Sequence, residues 1–438
     1  MSTPVTRRPY HALAHPEYRR LLVALLVSIT GSQMQVAAID WHVYLLTRSP
    51  LALGAVGLVR VVPIVVFSLW GGIAADRFDR RRVMIAAESV MIGSALALAI
   101  LTFTGRESLP LVYLLTAVSS GATAFDNPAR HALVPRLVPG QDLPGALALM
   151  ISVFQAANIC GPALAGLLIA GGAGLFGPSA SHAAAPGATR SLGLIYGLNA
   201  VSFLAVVGVL LRLRTSGARS ADTPAEPALS SLRAGLRFVF STPILVSTMT
   251  LDFFATFFSG SMSLLPIFAD QILKTSPAGY GALRAAPGLG ALLGSLYSSV
   301  VPLPKKQGRV LLWAVSAYGA ATIVFGLSRN VGLTFAALAA TGAADVVSTA
   351  VRLTVRQLVT PDELRGRMTS VNMIFFMGGP QLGEMEAGLL AWLIRPVTLG
   401  ATVSVVAGGV ATVLLAAVFA AAVPLVRSYR AEPALEPR

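Results

Sequence analysis

Gly71-Gly72-Ile73-Ala74-Ala75-Asp76-Arg77-Phe78-Asp79-Arg80-Arg81-Arg82-Val83-Met84 lies between two long apolar runs. It packs glycines, aspartates and four arginines into about a dozen residues. A lipid-facing segment cannot hold that much charge, so the stretch predicts a tight turn at a membrane surface. The rest of the chain is placed relative to it.

Of 438 residues, 55% are hydrophobic and 12% charged, with a mean hydropathy of +0.73. A soluble protein carries roughly a quarter charged residues, so the composition predicts a polytopic membrane protein. The single cysteine, Cys160, excludes an internal disulfide and fits a bacterial inner-membrane chain. Residues Met1 to Arg20 are polar and basic, and the first apolar run is long enough to span, so no cleaved signal peptide is expected. A net charge of +14 on a soluble chain would suggest nucleic acid. Here the basic groups are spread over short loops with no aromatic-interleaved basic domain. They read as the topology signal of a membrane protein, with no nucleic-acid partner.

Twelve apolar spans are read in order near 20–46, 51–74, 83–104, 109–127, 144–170, 192–212, 243–270, 277–301, 309–328, 331–353, 369–394 and 399–426. Each holds about 20 residues or more, enough for a helix across a ~30 Å hydrocarbon core. With the N-terminus inside, the outer loops carry only Arg48, Arg106, Arg190, Lys274, Arg329 and Arg395. The inner loops hold the large excess, including Arg77, Arg80–Arg82, Arg130, Arg136, Lys305, Lys306, Arg352 and Arg356. That bias predicts both termini in the cytoplasm.

The expected organisation is a cytoplasmic segment at 1–19, a six-helix bundle at 20–212, a linker at 213–242, a second bundle at 243–426 and a cytoplasmic tail at 427–438. The linker contains Ala221-Asp222-Thr223-Pro224-Ala225-Glu226-Pro227, then an amphipathic segment with Leu229, Leu232, Leu236 and Phe240 at helical spacing. Residues 171–191, rich in Gly, Ala, Pro and Ser, are expected to be a disordered external loop. Arg136–Gly145 aligns with Gln357–Gly366, identical at Leu137/Leu358, Val138/Val359, Leu143/Leu364 and Gly145/Gly366. Each stretch follows the fourth span of its half. Two parallel six-helix repeats of this kind suit a transporter with a central site.

Twelve spans in two sixes, with Gly72-x-x-x-Asp76-Arg77-x-x-Arg80-Arg81 between the second and third, resemble the major facilitator superfamily. Asp79 stands where that loop signature usually has glycine. Trp41–Gly54, Asn127-Pro128-Ala129-Arg130, Gly161-Pro162-Ala163-Leu164-Ala165-Gly166 and Pro361–Met368 resemble its enterobactin-exporter and macrolide-efflux branch. The resemblance implies an all-α fold with spans 1, 4, 7 and 10 around a central cavity, and export by alternating access. It also implies a cytoplasmic gate. Asp76 would sit at the N-terminal end of span 11 near Gly366 to Ser370, and Arg77 or Arg80 would reach Asp126. The second half keeps basic charge at Pro302–Arg309 but no acid, so the gate is expected to be asymmetric. Gly161-Pro162 with Gly166 resembles the end of the antiporter motif of exporters; close helix packing is the plainer reading.

Within the spans lie Asp40, Arg60, Glu88, Asp252, Arg284, Asp345, Glu384 and Glu386. A charge there costs at least ~2.5–3.5 kcal/mol on insertion scales, so each is a candidate functional group. Asp40, Asp252 and Asp345 fall on the spans that the resemblance puts around the cavity and are candidates for proton coupling. The alternative is structural pairing, Asp40 with Arg60 and Arg284 with Glu384, each at similar depth. Glu88 lies near the inner end of its span and is expected to snorkel. Gln155 and Asn158 offer polar contacts, and Phe253, Phe254, Phe257 and Phe258 suit an amphipathic substrate. No Walker lysine motif, metal-ligand cluster or catalytic triad is present. The reading is therefore a non-enzymatic transporter without a cofactor, driven by a proton gradient, in the bacterial inner membrane. Its partners are a small-molecule substrate, protons and the bilayer, and it is read as a monomer. An importer and a transport-inactive sensor or assembly protein are the alternatives.

Overall fold

The computed structural model describes residues 9–176, 186–215, 236–301, 304, 306–361 and 364–430. Residues 177–185 of the loop expected at 171–191 and 216–235 of the linker expected at 213–242 lie outside them, while 171–176 and 186–191 are helical and not loop. The long elements are all helices: α1 (Pro16–Thr47), α2 (Pro50–Arg77), α3 (Arg80–Thr104), α4 (Leu109–Leu137), α5 (Leu143–Phe176), α6 (Pro186–Arg212), α7 (Pro243–Phe258), α8 (Pro277–Val300), α9 (Gln307–Leu327), α10 (Val331–Val359), α11 (Arg365–Leu393) and α12 (Val397–Ala422). After α7 the chain continues through Met262–Leu264 and Leu265–Ile267 to a π-turn at Phe268–Ile272.

Among the described residues, ten segments are long and apolar enough to cross a membrane. Helices α8 and α11 are not among them. Both are diluted by glycine and charge: α8 carries Arg284 and a run of glycines, and α11 carries Arg365, Arg367, Glu384 and Glu386.

The chain divides into two compact units, Met1–Leu46 with Val62–Ala225, and Thr47–Val61 with Glu226–Arg438. In the first, α3 packs on α4 and α6, and α5 on α6. Its largest core joins Tyr18, Leu21 and Leu25 of α1 to Met84, Leu133 and Leu210. In the second, α8 packs on α10, α9 on α10 and α12, and α11 on α7 and α12.

The stretch at Gly71–Met84 is mostly helix rather than turn. Helix α2 continues through Arg77, and α3 begins at Arg80, leaving only Phe78 and Asp79 between them. Asp79 is the N-cap of α3: its side chain accepts from Arg81 N at 2.9 Å and Arg82 N at 3.4 Å. An aspartate there satisfies backbone donors that would otherwise have no intrahelical partner. Asp79 has φ −60°, so the position makes no demand for glycine. Arg81 reaches back to the end of α6, donating to Leu213 O at 2.8 Å and Leu211 O at 2.7 Å. A cation on the last carbonyls of a helix also complements its dipole.

The two glycines differ. A Cβ on Gly72 would meet nothing within 4 Å, whereas one on Gly71 would lie 2.0 Å from Ala124 O of α4. Pro128 has no N–H to return to that carbonyl, four residues earlier in the helix. Gly71 and Pro128 therefore act on the same carbonyl: one helix leaves it without its usual donor, and the other approaches it closely.

Several helices run past their expected ends. Helix α4 continues from the expected 127 to Leu137 through Pro128 and Pro135, and α10 from 353 to Val359. Arg130 and Arg356, assigned to inner loops by the sequence, are consequently helical, and Arg352, counted with the inner side, lies inside α10.

Candidate transport site

The polar interior of the second unit centres on Arg352. Its Nη1 lies 2.5 Å from Asp252 Oδ1 on α7, and its Nη2 lies 3.6 Å from Asp345 Oδ1, two turns earlier on α10. Ser348 and Thr349 accept further bonds from Nη1 and Nη2 at 2.9 and 2.7 Å. Arg352 and Asp252 are buried, at 5% and 7% exposure. The Asp345 side chain keeps 44% of its surface accessible. The three charged groups, with Thr256, Tyr318 and Ser348, line a cavity of about 10 Å3. That is room for about one water molecule.

Two carboxylates thus share one guanidinium. With all three groups ionised they carry one net negative charge between them, and the field of the Arg356 guanidinium, one turn further along α10, also reaches Asp252. A proton on either carboxylate removes that excess while leaving the other carboxylate paired. The cluster is therefore chemically able to bind and release a proton, with the surplus charge of the deprotonated state open to solvation at Asp345.

The first unit has a related arrangement. Asp126 of α4 is fully buried and accepts from Arg130 Nη2, one turn further along the helix. Glu88 of α3 is also fully buried, and neither carboxylate oxygen finds a hydrogen-bond partner. It feels the charges of both Asp126 and Arg130. It does not snorkel, because α3 packs between α4 and α6 at that level, against Ala122 and Phe203. Arg130 bonds a residue four earlier in α4, and Arg352 bonds Ser348 four earlier in α10. The two halves thus repeat an arginine anchored one turn back, half-buried at Arg130 and buried at Arg352.

The other expected residues fall as follows. Asp40 on α1 is 1% exposed and Arg60 on α2 is 9% exposed. Glu384 is buried on α11 against Gly57 of α2, whose Cβ would come within 3.0 Å of it; Glu386 and Arg284 are half-buried. Asn158 on α5 accepts from Gln33 of α1, and Gln155 lies one turn before it. Gly161 and Pro162 are buried, and a Cβ on Gly161 would lie 2.5 Å from Gln33 Cβ and 2.9 Å from Thr30 O. This part of the motif sets the close approach of α5 to α1, with Gly166 also buried further along α5. Arg77 is exposed at the end of α2, while the side chains of Asp76 and of most of Gly366–Ser370 are outside what the structure describes. Phe253 stacks on Phe257 at 6.1 Å and meets Phe375 of α11 edge-on at 6.1 Å, so the phenylalanines of α7 form one cluster.

Two groups that the sequence reading passed over matter here. Arg352 is one, with its spacing of seven from Asp345 as the signal: such residues share a helix face. Asp270 is the other. It accepts from Arg48 Nη1 at 2.6 Å, within the second unit.

The match of a family model along nearly the whole chain makes this protein a membrane transporter of the major facilitator superfamily. The chain belongs to the family described as transmembrane secretion effectors, whose model matches residues 7–435. It is 26% identical over 383 residues to the enterobactin exporters of Shigella boydii and Escherichia coli, covering 87% of each chain. Among solved structures, it resembles a bacterial homologue of the human lysosomal transporter Spinster in an inward-facing, unoccupied conformation. That match has a TM-score of 0.73, 17% identity, and coverage of 96% of this chain and 99% of that one. A D-xylose–proton symporter matches with a TM-score of 0.73 at 13% identity, covering 95% and 100%. The chain is a transporter and not an enzyme.

Proposed function

We propose that this protein exports small amphipathic molecules of the siderophore or antibiotic kind, coupled to protons. In this reading, twelve membrane helices form two six-helix halves, at 20–212 and 243–426, with both termini in the cytoplasm of a bacterium. The halves alternate access to a central site as a monomer. The export direction is supported by similarity to the enterobactin exporters. Proton coupling is supported above all by one observation: Asp252 and Asp345 share the single guanidinium of Arg352. One proton bound there loosens the hold of Arg352 on a carboxylate, which ties loading to rearrangement of α7 against α10. The phenylalanine cluster on α7, beginning one residue after Asp252, supplies an apolar surface for a substrate beside the proton site.

The test uses inverted membrane vesicles energised to be acidic inside, with a panel of siderophores and hydrophobic antibiotics as substrates. Asp252→Asn and Asp345→Asn should each abolish accumulation driven by the pH gradient while retaining substrate exchange at equilibrium. Gradient-driven accumulation at the wild-type rate in both variants would overturn proton coupling through this cluster.

A further inference from the structure

We propose that the first unit carries a binding site for an anionic phospholipid, with one acyl chain in a groove between α2, α3 and α4 and the phosphate at Arg77 and Arg82. The groove has a volume of about 490 Å3 and an apolar lining that includes Phe67, Ala74, Ala86, Val90, Gly121 and Phe125. That is within the usual size of a ligand site, and no polar side chain lines it to recognise a polar ligand. Its mouth is open along the helices, where Phe67 and Val90 are 42% and 46% exposed.

Helix geometry fixes where the groove leads. Val90, Ala86 and Arg82 recur every four residues on one face of α3, so Arg82 continues the lining stripe beyond its apolar end. On α2, Arg77 lies three residues after Ala74 and extends the wall in the same direction. From Phe67 to Arg77 the rise is roughly 15 Å, half of a ~30 Å hydrocarbon core. The apolar groove, roughly 10 Å long from Phe67 to Ala74, and the two guanidinium groups beyond it together span about one leaflet.

Those two groups are available. Arg77 and Arg82 are exposed, and neither side chain makes a hydrogen bond or ion pair with a described residue. Arg81, in the first turn of α3, is by contrast committed to the carbonyls at the end of α6. Phe78 at the tip is 63% exposed, as suits an aromatic ring at the headgroup level. An apolar slot leading to two exposed guanidiniums that bond no described residue complements a diacyl lipid with a net negative phosphate headgroup. A guanidinium binds such a phosphate through paired hydrogen bonds.

The experiment is native mass spectrometry of the full-length protein released from nanodiscs holding equal phosphatidylglycerol and phosphatidylethanolamine. The wild type is expected to retain the anionic lipid preferentially. Arg82→Gln should lower that preference about 5-fold, the effect of one basic residue at an anionic headgroup. Arg77→Gln with Arg82→Gln should bring it to parity. Ala86→Trp, which fills the groove at an exposed position, should remove retained lipid of both kinds. Free glycerophosphoglycerol, the headgroup without chains, should not displace the lipid. An unchanged preference in Arg82→Gln would overturn the proposal, as would undiminished retention in Ala86→Trp or a lipid-free dimer in the wild type. If Ala86→Trp cannot be purified, the arginine variants alone decide.

Discussion

Replacing Arg352 probes the second-unit cluster most directly. Arg352→Gln removes the one cation held between Asp252 and Asp345 while Ser348 and Thr349 keep a polar neighbour. Asp252 is 7% exposed, so its charge cannot be recovered by solvent. Breaking a buried pair from one side costs about 3–5 kcal/mol, because the other charge is left uncompensated. Asp252→Asn on its own removes one carboxylate but leaves Arg352 within reach of Asp345, so a smaller loss of about 1–2 kcal/mol is expected. The double variant Asp252→Asn/Arg352→Gln keeps one isolated acid, Asp345, which has open surface for solvation. It should be more stable than Arg352→Gln alone. The two substitutions should therefore be non-additive by about 1.5–3 kcal/mol. The assay is thermal unfolding in detergent, followed by intrinsic fluorescence, with chemical denaturation at a fixed detergent concentration as a second measure. Additivity within about 0.5 kcal/mol would show that the 2.5 Å contact between Arg352 and Asp252 carries no coupling, and the reasoning built on it would fail.

Three further outcomes test individual elements. Asp79→Ala should cost about 1 kcal/mol by uncapping α3, while Asp79→Asn should cost less, as measured by thermal unfolding. Gly71→Leu should destabilise by about 3 kcal/mol or more, since its Cβ would overlap Ala124 O, whereas Gly72→Ala should shift the unfolding midpoint very little. Glu88→Leu should raise stability by about 1–3 kcal/mol, the penalty of a buried group without partners, and a lowered midpoint would mean that Glu88 is bonded in the folded protein.

The sequence carried the helical class, the family and the importance of Gly71–Met84, because charge and hydropathy act through composition and need no tertiary information. It was less informative about what each residue in that stretch does. Asp79 departs from the usual glycine, and only the short gap between α2 and α3 makes it a cap. Gly71 outranks Gly72 because of one carbonyl on another helix, which no local pattern reveals. The misplacement of Arg130 and Arg352 has a different origin. Hydropathy shows where a helix leaves hydrocarbon, not where its hydrogen bonding stops, so α4 was cut short before Arg130, which pairs with Asp126. Arg352, at the last turn of the expected tenth span, was counted with the loop although it pairs with Asp252. Spacing did contain the signal: Asp126 to Arg130 is one helical turn, and Asp345 to Arg352 is two. Asp252, on another helix, has no such local clue.

The single guanidinium at 352 also bears on how steep a gradient the transporter can sustain. Under the proposed coupling, two carboxylates facing one guanidinium accommodate one exchangeable proton per cycle. One charge crossing 100 mV releases about 2.3 kcal/mol, and one pH unit adds about 1.4 kcal/mol. Together these can hold an uncharged substrate at about a 500-fold concentration ratio across the membrane. A second proton would square that ratio, and the buried carboxylate of Glu88, beside an already matched Asp126–Arg130 pair, is where the first unit has a group able to carry it.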